Sequence, residues 1–263
     1  MSAVDYTSDE MMTISAARML QDGQICFVGI GLPSTAANLA RLTHAPNVVL
    51  VYESGPIGAK PAVLPLSIGD GDLAETADTV VSTPEIFRYW LQGGRIDVGF
   101  LGAAQLDRYA NINTTVIGDY RKPTIRLPGA GGAPEISSSA KEVLIIIKQS
   151  ERTFVDELDF ITSAGFLSGG DARKRAGIPG HGPTAVITDL CILKPDPETC
   201  ELTVASIHPG VDRGYLKNKT GWPLRFRESC EETPAPTSSE LEILRDLHRR
   251  TGLAHESGER ADA

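Results

Sequence analysis

Continuous apolar runs alternate with short polar and glycine-rich segments through the first 148 residues of the chain. Runs rich in valine and isoleucine are typical of strands buried on both faces, as in parallel sheets. Such runs occur at 24–28, 48–52, 96–101 and 142–148. The segments at 8–20, 35–42 and 83–92 begin with capping residues or proline and predict helices. Alternating strands and helices predict the α/β class, with a single open, mostly parallel sheet layered with helices.

The second half of the chain contains more strand-like segments and then a polar stretch. The pattern predicts strands at 152–160, 185–193 and 202–207, a turn at 194–197 and a short helix at 211–219. Residues 59–77 and 165–170 are expected to be loops, and 228–238 an extended connector. Leu241, Leu244 and Leu247 predict an amphipathic helix over 239–250, followed by a polar tail from His255. We therefore expect one α/β domain over 1–230 and a C-terminal connector, helix and tail over 231–263.

A single carboxylate follows the valine-rich strand. Glu53 stands directly after the 48–52 run and is followed by Ser54, Gly55 and Pro56. Glycine and proline end the strand, which places Glu53 at its carboxyl end, where open α/β sheets bind ligands. The alternative interpretation is an ordinary acidic residue at the start of a loop.

Two glycine-rich loops are the second chemical feature. Gly29 and Gly31 follow the first strand, and Gly129, Gly131 and Gly132 precede the strand at 142–148. Glycine allows a backbone N–H to come close to a reacting group, so the loops are candidate oxyanion-binding sites. Taken one at a time, these glycines are better explained as tight turns.

Composition and charge narrow the possible partners. The 263 residues carry a net charge of −9, which argues against a nucleic-acid or anionic-membrane surface. No apolar run approaches the ~20 residues that span a bilayer, and the acidic N-terminus is unlike a secretory signal. The four cysteines and five histidines are dispersed, so no metal site is expected, and we predict a cytoplasmic protein.

Several separate motifs resemble one family, the β subunit of family I CoA-transferases, over roughly residues 10–225. They agree with that family in order and spacing. They are Val-Gly-Ile-Gly-Leu-Pro at 28–33, Tyr-Glu-Ser-Gly at 52–55, Gly-Ala-Ala-Gln-Leu-Asp at 102–107, Asn-Ile-Asn at 111–113 and Pro-Gly-Ala-Gly-Gly-Ala at 128–133. Weaker similarity continues through 152–165, 184–189 and 207–211. The Glu-Ser-Gly form is closer to glutaconate CoA-transferases than to oxoacid transferases, which carry Glu-Asn-Gly.

The resemblance implies a mechanism and a partner. It assigns Glu53 as the nucleophile that moves CoA between an acyl-CoA and a carboxylic acid through a glutamyl-CoA thioester. CoA is then a substrate and a covalent intermediate, no cofactor is permanently bound, and an α subunit completes the enzyme, for example as α2β2. Gln105 and Asp107 are expected either to position the substrate or brace the Glu53 loop, or to have a purely structural role.

Two other functions remain open at this point. A CoA-thioester hydrolase, or a ring-cleaving hydrolase acting on a CoA-linked substrate, could use the same scaffold with different water access. A non-catalytic subunit that senses acyl-CoA would bind the ester without forming a covalent adduct. The sequence leaves the acyl groups undefined, because a partner would also line the pocket.

Overall fold

The computed structural model describes residues 5–261, without the side chains of residues 255 and 257–261. The helices are α1 (Ser8–Ala17), α2 (Leu32–Leu42), α3 (Gly71–Glu75), α4 (Thr83–Glu85), which continues as a π-helix over Ile86–Leu91, α5 (Ala133–Ser139), α6 (Ala172–Arg175), α7 (Arg213–Asn218) and α8 (Ser238–Ala261). The strands are β1 (Ile25–Phe27), β2 (Val49–Val51), β3 (Pro56–Ile57), β4 (Thr79–Val80), β5 (Val98–Leu101), β6 (Gln105–Leu106), β7 (Ile112–Asn113), β8 (Val116–Gly118), β9 (Pro123–Arg126), β10 (Glu142–Ile146), β11 (Pro183–Ile187), β12 (Cys191–Pro195), β13 (Leu202–Ile207) and β14 (Arg225–Glu232).

The chain forms two compact units. The first comprises the described residues up to Ile86 together with those from Pro236 to residue 261, and the second comprises Phe87–Ala235. Strands β1 to β4 lie side by side in the first unit, with β1 and β2 parallel and β2, β3 and β4 antiparallel. The strand, helix and strand predicted at 24–28, 35–42 and 48–52 are therefore present as β1, α2 and β2.

Helices α1, α2 and α8 pack together in the first unit. Helix α1 begins at a capping box, in which Thr7 and Glu10 exchange side-chain and backbone hydrogen bonds. The three leucines predicted to form the apolar face of α8 are all buried; they are Leu241, Leu244 and Leu247. The helix runs past its predicted end at residue 250 and includes the backbone of the predicted polar tail up to Ala261.

Six strands form the sheet of the second unit, in the order β14-β13-β12-β11-β10-β5. Strands β5, β10 and β11 are parallel, β12 is antiparallel to both of its neighbours, and β13 and β14 are parallel. Gly99 of β5 lets α5 pack closely, because a Cβ there would lie 2.4 Å from Ile136 Cγ2. The predicted α/β class, with an open and mainly parallel sheet layered with helices, is confirmed, and antiparallel pairs are added at β2–β4 and β11–β13.

Two predictions in the second half were wrong because hydrogen bonds override what the local apolar pattern or composition indicates. The apolar run at 185–193 is divided by a tight turn, in which the Thr188 hydroxyl accepts the N–H groups of Leu190 and Cys191 at 3.0 and 2.8 Å. The run therefore becomes β11 and the start of β12. The predicted connector at 228–238 instead contributes to β14, an edge strand whose acidic residues are mostly exposed.

Residues 152–160 do not form the predicted strand. Phe154 is buried and its ring stacks on Trp222 with centroids 5.6 Å apart. The segment contacts neighbouring backbone through a bridge to Leu106 and through the Gly221 N–H, which donates to the Phe154 carbonyl at 2.8 Å. Short elements were also missed, namely α3 within the expected loop and the hairpins β6–β7 and β8–β9. The helix expected at 83–92 is mostly a π-helix. Within residues 5–261, no helix combines the length and the apolar character that crossing a membrane requires.

Candidate active site

The first unit brings the predicted nucleophile and the first glycine loop together. Phe27 of β1 stands opposite Val51 of β2, and the Val28 N–H donates to the Val51 carbonyl at 2.9 Å. Because the two strands are parallel neighbours, they end at the same edge of the sheet. The loop that starts at Gly29 and the turn that starts at Glu53 therefore leave the sheet side by side.

Glu53 lies at the corner of a tight turn between β2 and β3. The Gly55 N–H donates to the Tyr52 carbonyl at 3.0 Å, and the Tyr52 N–H donates to the Pro56 carbonyl at 3.0 Å. These two bonds leave Glu53 and Ser54 at the tip of the turn, where both side chains are half-buried. The carboxylate is thus carried by a hydrogen-bonded turn and is reachable from solvent.

The turn also needs glycine at position 55. Gly55 has φ +125°, and a Cβ there would lie 2.1 Å from the carbonyl oxygen of Val81. A second tether comes from Ser54, whose hydroxyl donates to the Ile68 carbonyl in the loop before α3. Contacts on both sides therefore fix the backbone that carries Glu53.

Gly31 ends the loop between β1 and α2 in a conformation that suits glycine. Its φ is +82° and ψ −136°, and its carbonyl accepts the Thr35 N–H at 3.0 Å, which starts the helix. Within the described part of the chain, the N–H groups of Gly29 and Gly31 donate to no backbone or side-chain acceptor. A Cβ at either position would meet nothing within 4 Å. The loop thus presents unused donors in open space at a helix N-terminus.

The second glycine loop lies in the second unit and is partly engaged. The Gly129 N–H donates to the Thr114 carbonyl at 2.8 Å, and the Gly129 carbonyl accepts the Thr114 hydroxyl at 2.8 Å. Among the residues with described positions, no acceptor takes the N–H of Gly131 or Gly132. Gly131 and Gly132 therefore have free donors, whereas the Gly129 N–H holds the loop to the segment after β7.

Gln105 is part of a buried side-chain network in the second unit. It is 6% exposed, its Nε2 donates to Asp159 Oδ2 at 2.8 Å, and its Oε1 accepts Asn113 Nδ2 at 2.6 Å. Asn113 also donates to the Val116 carbonyl at 2.7 Å. These bonds fasten the β6–β7 hairpin to neighbouring loops.

Asp107 closes the turn between β6 and β7. Its carboxylate accepts the N–H groups of Tyr109 and Asn111 at 2.9 Å and Asn111 Nδ2 at 2.8 Å. Burial raises the pKa of the Asp107 carboxyl, although these hydrogen bonds oppose the rise. Asn111 in turn accepts the N–H groups of Gly165 and Leu167 at 2.9 and 3.0 Å. The observed contacts of Asp107 are structural, and its role toward substrate stays a prediction.

A polar network behind Glu53 was missed at the level of sequence. The Tyr52 hydroxyl lies 3.3 Å from Ser34 Oγ, and Asn38 Nδ2 donates to the Ser34 carbonyl at 2.9 Å. Arg41 Nη2 donates to Asn38 Oδ1 at 3.2 Å. The available signal was the pair Ser34 and Asn38, polar residues four apart on a helix whose other residues at 36, 37, 39 and 40 are apolar.

Among the described residues, no three His, Cys, Asp or Glu side chains come together as a potential metal site.

Glu53, Gly29 and Gly31 form the candidate active-site elements of the first unit. A carboxylate beside unused N–H donors can act as a nucleophile on an acyl group, with the donors accepting the negative charge that develops on the acyl oxygen.

Comparison with known proteins shows the family of the chain. A family model described as coenzyme A transferase matches residues 9–219. The chain is 70% identical over 250 residues to the β subunit of 3-oxoadipate CoA-transferase from Pseudomonas knackmussii, covering 95% of this chain and 96% of the relative. It is 32% identical to the β subunit of glutaconate CoA-transferase from Acidaminococcus fermentans, covering 92% of each chain.

The folds agree as well. The crystal structure of glutaconate coenzyme A-transferase from Acidaminococcus fermentans superposes with a TM-score of 0.86 at 31% identity, covering 92% of this chain and 95% of that one. A β subunit works with a partner α subunit in the complete enzyme. The chain belongs to the coenzyme A transferase family, whose members move CoA between an acyl-CoA and a carboxylic acid, and within that family it is of the β-subunit type.

Proposed function

We propose that this chain supplies the nucleophile of a CoA-transferase whose acid substrate is 3-oxoadipate. The observation that carries the proposal is the 70% identity, over 95% of this chain, to a β subunit whose enzyme is named for that acid. The 32% identical relative is named for glutaconate, which is also a dicarboxylic acid. Both relatives are thus named for a dicarboxylic acid, in which one carboxylate can receive CoA and the enzyme can recognise the other.

Glu53 is the proposed nucleophile. A carboxylate can attack a carbonyl directly, without a separate base to activate it. The Glu53 carboxylate attacks the thioester carbonyl of the acyl-CoA, which forms a mixed anhydride and releases the CoA thiolate. The thiolate attacks the glutamyl carbonyl, giving the Glu53–CoA thioester and freeing the first acid. The second acid reverses these steps, so the thioester bond is conserved throughout.

The Gly29 and Gly31 amides are the proposed oxyanion donors for these steps. Each tetrahedral intermediate places negative charge on an oxygen, and one well-placed donor is worth about 3–4 kcal/mol. The support for this role is that both N–H groups are unused within the described residues and stand beside the Glu53 turn. For Gly129, Gly131 and Gly132, and for substrate positioning by Gln105 and Asp107, the roles inferred from the sequence remain predictions.

Coenzyme A serves here as substrate and transient covalent group, and no resident cofactor is proposed. We propose that this chain and its α-type partner assemble as α2β2. The sequence-based cytoplasmic location also stands as a proposal.

An exchange assay on the co-expressed α and β polypeptides tests the function. Purified complex is given a panel of short acyl-CoA donors with 3-oxoadipate as acceptor, and formation of 3-oxoadipyl-CoA is followed by mass spectrometry. Adipate, which lacks only the 3-oxo group, and glutaconate are the matched acceptors. We expect 3-oxoadipate to give the highest kcat/KM. Preference for either control acid overturns the substrate assignment, and acyl-CoA hydrolysis without transfer favours the hydrolase alternative.

A further inference from the structure

We propose that the hydroxyl contact between Tyr52 and Ser34 positions the Glu53 turn against the first turn of α2. The inference rests on the proposed role of Glu53 as nucleophile and assigns the contact a part in that reaction. Tyr52 and Ser34 are positioning residues in this proposal, because neither carries the reacting carboxylate or the oxyanion donors.

Tyr52 is joined to the Glu53 turn through its backbone. It immediately precedes Glu53, and its N–H and carbonyl make the two hydrogen bonds that close the turn, to Pro56 and Gly55 at 3.0 Å each. The Tyr52 side chain lies in the core and is 0% exposed. A displacement of the phenol ring is therefore transmitted directly to the residue that carries the carboxylate.

Ser34 is joined in the same manner to the glycine loop. It is the third residue of α2, and Gly31 caps that helix. Ser34 is 1% exposed, and its hydroxyl lies 3.3 Å from the Tyr52 hydroxyl. The contact thus connects the residue before the nucleophile with the helix turn that begins at the proposed oxyanion loop.

The α2 side of this contact is itself held in place. Asn38 is 0% exposed and donates to the Ser34 carbonyl at 2.9 Å. Arg41 donates to Asn38 Oδ1 and, at 2.8 Å, to the carbonyl of Pro61 in the loop after β3. Each polar group in the series has a partner, which is the condition under which a buried polar network makes a core more rigid.

A phenylalanine at position 52 would fill the same core space. The Tyr52 hydroxyl therefore contributes more to the position of the ring than to the apolar area that is buried. Burial raises the pKa of the Tyr52 hydroxyl, which therefore stays neutral across the working pH range. Attack of a carboxylate on an acyl group requires reacting atoms within about 3–3.5 Å, and a misplacement of about 1 Å can cost 10²-fold in rate. Loss of this contact should loosen the spacing between the carboxylate and the Gly31 loop.

The test uses the co-expressed complex with Tyr52→Phe, Ser34→Ala and the double variant. Ser15→Ala is the matched control, because Ser15 is also a 1% exposed helical serine of the first unit, and its hydroxyl has no partner among the described atoms. Steady-state kcat and KM, the rate at which CoA becomes attached to this chain, and assembly of the complex are measured for each. Tyr52→Phe removes one oxygen and no carbon and so keeps the ring in the core. It therefore tests the positioning role by itself if the complex with Ser34→Ala fails to assemble.

We expect kcat and the rate of CoA attachment to fall about 10-fold in each single variant, with KM changed less than about 3-fold. The double variant should be no worse than Ser34→Ala alone, since that variant removes the hydroxyl contact with Tyr52 together with the 3.4 Å contact between Asn38 Nδ2 and Ser34 Oγ. Ser15→Ala should match the wild type. Equal rates for Tyr52→Phe and Ser15→Ala, with CoA attached to Glu53 in both, overturn the positioning role. Absence of CoA on Glu53 in the wild type overturns the proposed function, and this role with it.

Discussion

Arg18 at the end of α1 binds both carboxylate oxygens of Glu240 at the start of α8. Its Nε donates to Oε1 at 2.7 Å and its Nη2 to Oε2 at 2.6 Å. Glu240 also accepts the Thr237 N–H and hydroxyl in a capping box. At the start of α1, Glu10 of the capping box is bound by Arg245, which lies further along α8. Each helix therefore supplies the arginine that clamps the capping glutamate of the other.

The Glu240 clamp predicts a specific pH dependence of stability. Burial alone would raise the pKa of Glu240, but the hydrogen bonds from Arg18 and Thr237 outweigh it and lower the pKa to about 2. Since the folded pKa lies below the unfolded value near ~4.3, the stabilisation is present above that value and is lost as pH falls toward 2. At pH 7 we expect Glu240→Gln to lower the free energy of unfolding by about 1 kcal/mol, because solvent screens a partly exposed pair.

Urea unfolding at pH 7, 5, 4 and 3 measures this contribution. The gap between wild type and Glu240→Gln should shrink steadily below pH 5, because only the wild type titrates at this position. Glu242→Gln, at an exposed position of the same helix, is the control and should follow the wild type. A gap that stays constant down to pH 3 would contradict the clamp.

The position of Glu53 at the carboxyl end of β2 could be predicted from sequence, because it depends on residues that are adjacent in the chain. A valine-rich run, a carboxylate and a glycine–proline stop place Glu53 at a strand end, and a parallel neighbour places Gly29 beside it. The contact of Tyr52 with Ser34 could not be predicted in this way. The two residues are 18 apart in sequence, and their approach depends on how α2 packs against β2.

Other features of the structure depended on partners distant in sequence. The Gly129 N–H is engaged because Thr114, 15 residues earlier, lies opposite it. The acidic stretch after Arg225 forms β14 because β13 offers it a backbone edge, which charge patterning alone does not reveal. Sequence rules therefore located Glu53 at the strand end better than they located the hydrogen bonds that occupy or free each donor.

Gly55→Ala should damage the active-site turn. The new Cβ would stand 2.1 Å from the Val81 carbonyl oxygen, and the backbone has φ +125°. We expect a loss of more than about 2 kcal/mol in the free energy of unfolding, together with loss of transferase activity. Gly71→Ala at the start of α3 is the control, since its Cβ would meet nothing within 4 Å. Similar thermal melting temperatures for the two variants would show that the turn does not require glycine.

The partner requirement predicts the behaviour of the isolated chain. Expressed without its α-type partner, this chain should show no CoA transfer, because its 70% and 32% identical relatives are each named as one subunit of a CoA-transferase. Mixing or co-expression should restore transfer and give one heteromeric species, with α2β2 as the expected mass. Size-exclusion chromatography with light scattering and the exchange assay measure both properties. Full activity from a monodisperse sample of this chain alone would refute the requirement for a partner.

Glu53 should carry the covalent intermediate. Incubating the complex with acyl-CoA and no acceptor acid should leave CoA attached to this chain, visible as added intact mass, removable by hydroxylamine and mapped to Glu53 by peptide analysis. Glu53→Ala should abolish the adduct and lower transfer by at least about 10³-fold, because no other group supplies the nucleophile. Glu53→Asp should be severely impaired, because losing one methylene withdraws the carboxylate by more than the ~1 Å that attack geometry tolerates. Glu75→Gln, an exposed glutamate of the same unit, is the control and should retain both adduct and transfer. Near-normal exchange in Glu53→Ala would move the nucleophile to another residue and leave the Gly29 and Gly31 donors without the carboxylate they are proposed to serve.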